Sequence, residues 1–190
     1  MAEAALPIET WANFYVIVGS SAGGLTGLTF VVIALVSGVE VRMSGLRAFV
    51  SPTIIHFCSA LGISALMNVP GQTMRSIGVC LSVFGLLGVI YTVGTLRHLV
   101  RTLESYKAVV EDWIWNVLLP MACYLTLLIA GLVVRAHGAA ALYLTAATSL
   151  VLLAIGIHNA WDIAVWFTAE RPGLRKDPSK KPAPTEPPAE

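Results

Sequence analysis

Long apolar runs separated by short polar clusters set the organisation of this chain. The runs cover residues 13 to about 36, 52 to about 69, 76 to 96, 113 to 134 and 139 to about 167. At about 1.5 Å per residue, roughly 20 residues carry a helix across the hydrocarbon of a bilayer. The runs are of that order, and the fifth is long enough to tilt or to project. The pattern predicts an all-α integral membrane protein, a five-helix transmembrane bundle occupying residues 13–168.

The breaks agree with this reading. Trp11, Phe14 and Tyr15 stand where an interfacial aromatic anchor belongs. A polar turn, Ser37 to Leu46, closes the first run. Ser51-Pro52 has the form of an N-cap with proline at the first helical position of the second span. Asn68, Pro70 and Gly71 form a turn, Arg97 to Asp112 a charged connection, and Glu111-Asp112 an acidic start to the fourth span. Residues 169–190, rich in proline and lysine, predict a disordered cytoplasmic tail, and residues 1–12 an extracytoplasmic N-terminus.

Composition strengthens the membrane assignment: 56% of the 190 residues are hydrophobic and 12% charged, where a soluble domain carries about 25% charged residues. A formal net charge of +1 gives no reason to expect nucleic acid. Cys58, Cys80 and Cys123 sit singly in apolar runs, as small buried hydrophobes do. Acidic Glu3 and Glu9 argue against a cleaved signal peptide. Lysine and arginine divide unequally between the two sets of connections. Arg75 and Arg135 fall on one side, and the other ten basic residues (Arg42, Arg47, Arg97, Arg101, Lys107 and those of the tail) on the other. The positive-inside rule then places the N-terminus outside and the C-terminus in the cytoplasm of a plasma or inner membrane.

Ionisable groups inside such runs are costly unless they are paired or hydrated, which makes them the first candidates for function. His158, Asn159 and Asp162 fall within an arc of about 100° on the fifth helix. Thr145 and Thr148 continue that face, with Leu152 and Ile155 interrupting it. Asp112, Asn116, Pro120 and Cys123 share a face of the fourth helix, and Thr53, His56 and Ala60 one of the second. With the orientation above, His158, Asp162, Asn159, His56, Asn116 and Asp112 converge on the inner-leaflet half. Such a polar site fits a small channel or transporter for protons, cations or a small solute. The same groups suit other roles: a divalent metal on His56, His158 and Asp162, or a haem between His56 and His158, in a redox or assembly factor. They are equally compatible with structural pairing and an aromatic belt of Trp113, Trp115, Trp161 and Trp166. H-E-x-x-H does not occur, and the G-x-S-x-G match at Gly19–Gly23 lies inside an apolar helical run rather than on a strand-to-helix elbow, so the sequence carries no signature of a zinc protease or a serine hydrolase.

The first span is the other unusual stretch. Gly19, Gly23 and Gly27 recur every four residues and, with Ser20 and Gly24, make a smooth face, while Leu25, Leu28 and Val32 lie opposite. Small residues at this spacing let membrane helices approach closely. The expectation is a first helix at the centre of the bundle. The same face is able to join copies in a homo-oligomer, to line a pore there, or to dock an accessory subunit on a partner. Gly156, Ala160 and Ala164 form a shorter seam on the fifth span.

Overall fold

The computed structural model describes residues 8–36, 43–102 and 113–169. A 3₁₀ turn (Ile8–Trp11) leads into α1 (Ala12–Val36), followed by α2 (Met43–Met67) and α3 (Met74–Thr102). A π-helical turn (Ile114–Leu118) continues into α4 (Leu119–Val133), and α5 (Gly138–Ala169) follows. No strand occurs among the described residues. Four helices are long and apolar enough to cross a membrane: Ala12–Ala34, Met74–Arg97, Ile114–Val133 and Gly138–Val165, with Pro52–Met67 of α2 a shorter apolar segment. Ile17, Leu28, Leu87, Ile90, Leu118 and Leu132 point outward and exposed. Faces of this kind are an aggregation hazard in water and fit a membrane-embedded protein.

The helices pack in the order α1, α2, α5, α4, α3. Neighbours in sequence are therefore not always neighbours in space, and α2 and α3 touch little although only the turn 68–73 joins them. That turn satisfies the helix ends it connects. Asn68 Nδ2 donates to the Ser64 carbonyl at 2.8 Å and Gln72 Nε2 to the Leu66 carbonyl at 2.7 Å. Gly71 takes a positive φ of 70° that a side chain resists. Thr73 caps α3: Ser76 N–H donates to its hydroxyl at 3.1 Å, and Thr73 N–H donates back to the Ser76 hydroxyl at 3.1 Å.

Two sequence expectations change here. The second helix begins at Met43, so Pro52 lies inside it rather than at its first turn. Leu46, Ala48, Phe49 and Val50 carry the helix up to the proline, and a membrane helix tolerates the one missing backbone donor. The stretch 43–46, expected as part of a turn, is helical; Asp112, Glu111, Lys107 and the tail beyond Ala169 lie outside the described residues.

The second change concerns the centre of the bundle. It is α5, with half of its apolar window buried, whereas α1 has 17%. The face that α1 turns inward carries Tyr15, Val18 and Ala22, not the glycine repeat. Gly19 does meet α2, where an added Cβ would come within 2.9 Å of Ser64 Cβ. At Gly23, Gly24 and Gly27 an added Cβ would meet nothing within 4 Å among the described residues, and Ser20 is exposed. Leu25, Leu28 and Val32, opposite the glycines, border an open apolar groove of about 120 Å³ together with Phe57, Ala160 and Ala164, and Leu28 and Val32 are still exposed. Aromatic bulk explains the rotation. Tyr15 and Val18 fill the space beside α2 and α5 that the smaller glycine face would leave empty. Tyr15, expected at the interface, is completely buried, while of the three cysteines Cys58 is exposed and Cys123 buried.

The close approach predicted for the first helix occurs between α3 and α4. An added Cβ on Gly78 would sit 2.8 Å from the Gly131 carbonyl oxygen, one on Gly131 would sit 2.6 Å from the Ser82 nitrogen, and Gly85 faces the backbone of Tyr124 and Leu128. On α5, Gly156 accommodates the Phe57 ring, so that part of the expected seam is a packing contact. Overpacking a tight contact costs about 1–3 kcal/mol. Gly85→Leu is expected to lose at least about 2 kcal/mol in reversible unfolding from detergent micelles, and Gly27→Leu to stay within about 0.5 kcal/mol of wild type. Equal effects would contradict this assignment of the close-packed seam.

Candidate functional site

The polar groups predicted to meet at one level divide into two clusters. The first lies between α2 and α4. The helix periodicity that buries Phe57, Ala60 and Ile63 also turns Thr53, His56 and Ser59 inward. Because α2 starts at Met43, His56 sits about 20 Å along it at 1.5 Å per residue, near its middle rather than one turn from its start. Opposite stands Tyr124, completely buried, its ring lying against Gly88 of α3 where no side chain would fit. Its hydroxyl is 3.2 Å from His56 Nδ1 and 2.9 Å from Ser59 Oγ. His56 is 1% exposed, so this is a hydrogen-bonded trio closed off inside the bundle. Tyr124 can donate to one neighbour while accepting from the other, in either direction.

The second cluster lies between the π-turn and α5. Pro120 has no N–H to offer the Asn116 carbonyl, so an ordinary α-helical turn cannot close there. The backbone widens instead, and Leu119 N–H donates to the carbonyl of Ile114, five residues back. The turn carries Trp115 onto His158, with ring centroids 3.8 Å apart and planes inclined by 24°. On its other side His158 Nε2 is 3.3 Å from Asp162 Oδ2, the i, i+4 pair expected from helical spacing. Asp162 is the exposed member, with 59% of its side chain accessible. Asn159, on the adjoining face of α5, is 8% exposed, and its Nδ2 has no hydrogen-bond partner among the described residues.

The two clusters are near one another along the bundle axis, because Phe57, beside His56, packs on Gly156, half a turn before His158. Of the predicted residues, the structure pairs His158 with Asp162, gives His56 different partners, and leaves Asp112 outside the described residues. Ser59, Tyr124 and Trp115 are the members that sequence reasoning missed. Ser59 is three residues after His56, and Tyr124 follows Asn116 and Pro120 at four-residue steps, so both lay on stripes already drawn.

Other polar groups on the expected path are used locally. The hydroxyls of Thr26, Thr29 and Thr145 each donate to the carbonyl four residues earlier at 2.8 Å, and Ser149 donates to the Ala146 carbonyl at 2.7 Å. For metal binding, no group of three or more His, Cys, Asp or Glu side chains is placed to hold an ion among the described residues. A haem between His56 and His158 needs both rings turned to one cofactor, and each packs on an aromatic instead, Tyr124 and Trp115 respectively. Ser20, Gly24 and Gly27 face outward from the single chain, so they line no passage within it.

No protein-family model, curated protein or solved structure matches the chain.

The trio has a measurable energetic signature. In a double-mutant cycle, Ser59→Ala and Tyr124→Phe are expected to couple by about 0.6–1.7 kcal/mol, the range for interhelical hydrogen bonds in membranes. Additive effects in detergent unfolding would mean that the 2.9 Å contact contributes nothing to holding α2 on α4.

Proposed function

We propose that this chain is a five-span protein of the plasma or inner membrane, with its N-terminus outside and C-terminus in the cytoplasm, that passes a proton, a cation or a small solute through the α2–α4–α5 interface. The observation that carries the reading is the buried trio of His56, Ser59 and Tyr124. An imidazole placed mid-bundle among apolar helices is costly to keep and is a default mark of a pathway. The His158–Asp162 pair, nearer the end where α5 finishes and partly exposed, supplies a polar entrance to that interface.

The span count rests on α2. Its 25 residues extend about 37 Å at 1.5 Å per residue, more than the hydrocarbon thickness. It also lies along both α1 and α5, meeting the first through Ser64 and Gly19 and the second through Phe57 and Gly156. Seated between two spanning helices in this way, α2 is read as a fifth crossing. The orientation rests on ten basic residues against two.

Two experiments test this. Purified protein in liposomes is expected to speed the flux of protons, a monovalent cation or a small neutral solute over protein-free vesicles, with His158→Ala and Asp162→Ala each losing most of the gain; unchanged flux in both variants removes the entrance. A fluorescent protein fused after Glu190 is expected to glow, as it does only on the cytoplasmic side of a bacterial inner membrane, and an alkaline phosphatase fused there to stay inactive. The opposite pair of results overturns the orientation.

A further inference from the structure

We infer, resting on the transport reading above, that the species passed is a proton, carried at mid-bundle by the chain His56–Tyr124–Ser59 with Tyr124 as its central relay. Three observations lead there. The first is connectivity. Tyr124 Oη stands within hydrogen-bond distance of both His56 Nδ1 (3.2 Å) and Ser59 Oγ (2.9 Å), and all three groups both donate and accept. The second is space. His56, Phe57, Ala60, Tyr124, Leu127 and Ile155 are all at most 1% exposed, and Tyr124 rests on Gly88 with no room for an added carbon. A solute or a hydrated ion needs a cavity at this depth, and a proton needs only an unbroken line of hydrogen bonds. The third is ligand chemistry. A metal cation gives up its water shell only to a ring of oxygen or nitrogen ligands, usually including carboxylates. No carboxylate is among the three relay groups, and the described residues hold no cluster of three or more His, Cys, Asp or Glu placed for a metal ion.

The transfer balances without any other reactant than water. A proton arriving at His56 Nε2 forms an N–H bond there. The Nδ1–H bond breaks as its proton joins Tyr124 Oη, the Tyr124 O–H proton moves to Ser59 Oγ, and the Ser59 O–H proton leaves to a water. Each O–H or N–H bond broken is replaced by one formed, and one proton has entered and one left. Rotation of the two hydroxyls and exchange of the imidazole tautomer restore the starting arrangement.

Tyr124→Phe is the decisive variant, because it keeps the ring on Gly88 and removes only the hydroxyl. Full-length protein is reconstituted in liposomes holding a trapped pH dye, and a valinomycin-set potassium potential drives inward proton flow. Wild type is expected to acidify the lumen well above protein-free vesicles, with Tyr124→Phe slower by about a hundredfold, the lower range for a positioned proton-transfer group. Ser59→Ala is expected to follow Tyr124→Phe, and Ser59→Thr, which restores a hydroxyl, to recover most of the rate. Unchanged proton flux in Tyr124→Phe overturns the relay. Sodium, potassium or neutral-solute flux in wild type without proton flux overturns the inference and leaves the transport reading standing. Absence of every flux overturns both. Circular dichroism and elution volume matching wild type show that a slow variant is folded, and a slow variant that fails this check is replaced by Ser59→Ala, whose full-speed flux would equally overturn the relay.

Discussion

The seat of one aromatic ring ties the bundle together. Burying apolar surface does little to hold helices against one another in lipid, because the solvent they leave is as apolar as they are. Close packing and interhelical hydrogen bonds have to do it, and Tyr124 makes both. Its ring lies against Gly88, and its neighbour on the helix face, Leu128, lies against Gly85, which brings α4 onto α3. Its hydroxyl reaches the other way to His56 and Ser59 on α2. Without that reach, the packing order α1, α2, α5, α4, α3 would leave the two outer pairs of helices connected mainly through α5, with a small contact between α2 and α3.

The same helix holds the second polar cluster by a backbone device. Pro120 removes one donor, the chain answers with a π-turn, and the widened turn lays Trp115 over His158. A regular helix there would turn each preceding residue by a different angle around the axis, and Trp115 would leave its place on the imidazole. One proline thus seats Trp115 over a residue of a different helix. It also separates the roles along α4: its beginning covers His158, and its middle joins α2.

Much of this was legible in the residues and some of it was not. The apolar runs gave helix positions to within a few residues, except at α3, which continues through the charged Arg97 and Arg101 to Thr102, and at α2, where Pro52 resembles a helix start. A proline after a serine is a good start signal in water, but in a membrane helix the lost hydrogen bond is tolerated mid-span, and the apolar residues before it decide. The pairing of His158 with Asp162 follows from the i, i+4 rule within one helix and needed no tertiary knowledge. The pairing of His56 with Tyr124 joins residues on different helices, and helical periodicity says which face a residue shares but not which helix that face meets. A tyrosine in an apolar run, such as Tyr124, reads first as bulk.

The glycines show the same limit from the other side. The repeat at Gly19, Gly23 and Gly27 is the more regular pattern, yet only its first member touches another helix, while the irregular set Gly78, Gly85, Gly88 and Gly131 forms the tight seam. Spacing alone records that a helix has a smooth face. Whether the face is used depends on what competes for the inside, and on α1 the competitors are Tyr15 and Val18, whose size fills the gap beside α2 and α5. On α3 no large residue competes at Gly85 and Gly88, because the aromatic that fills the space comes from α4. The glycines there are the socket, and Tyr124 is the part that fits it, which is why the most consequential residue of the polar site sits opposite the least conspicuous glycines of the chain.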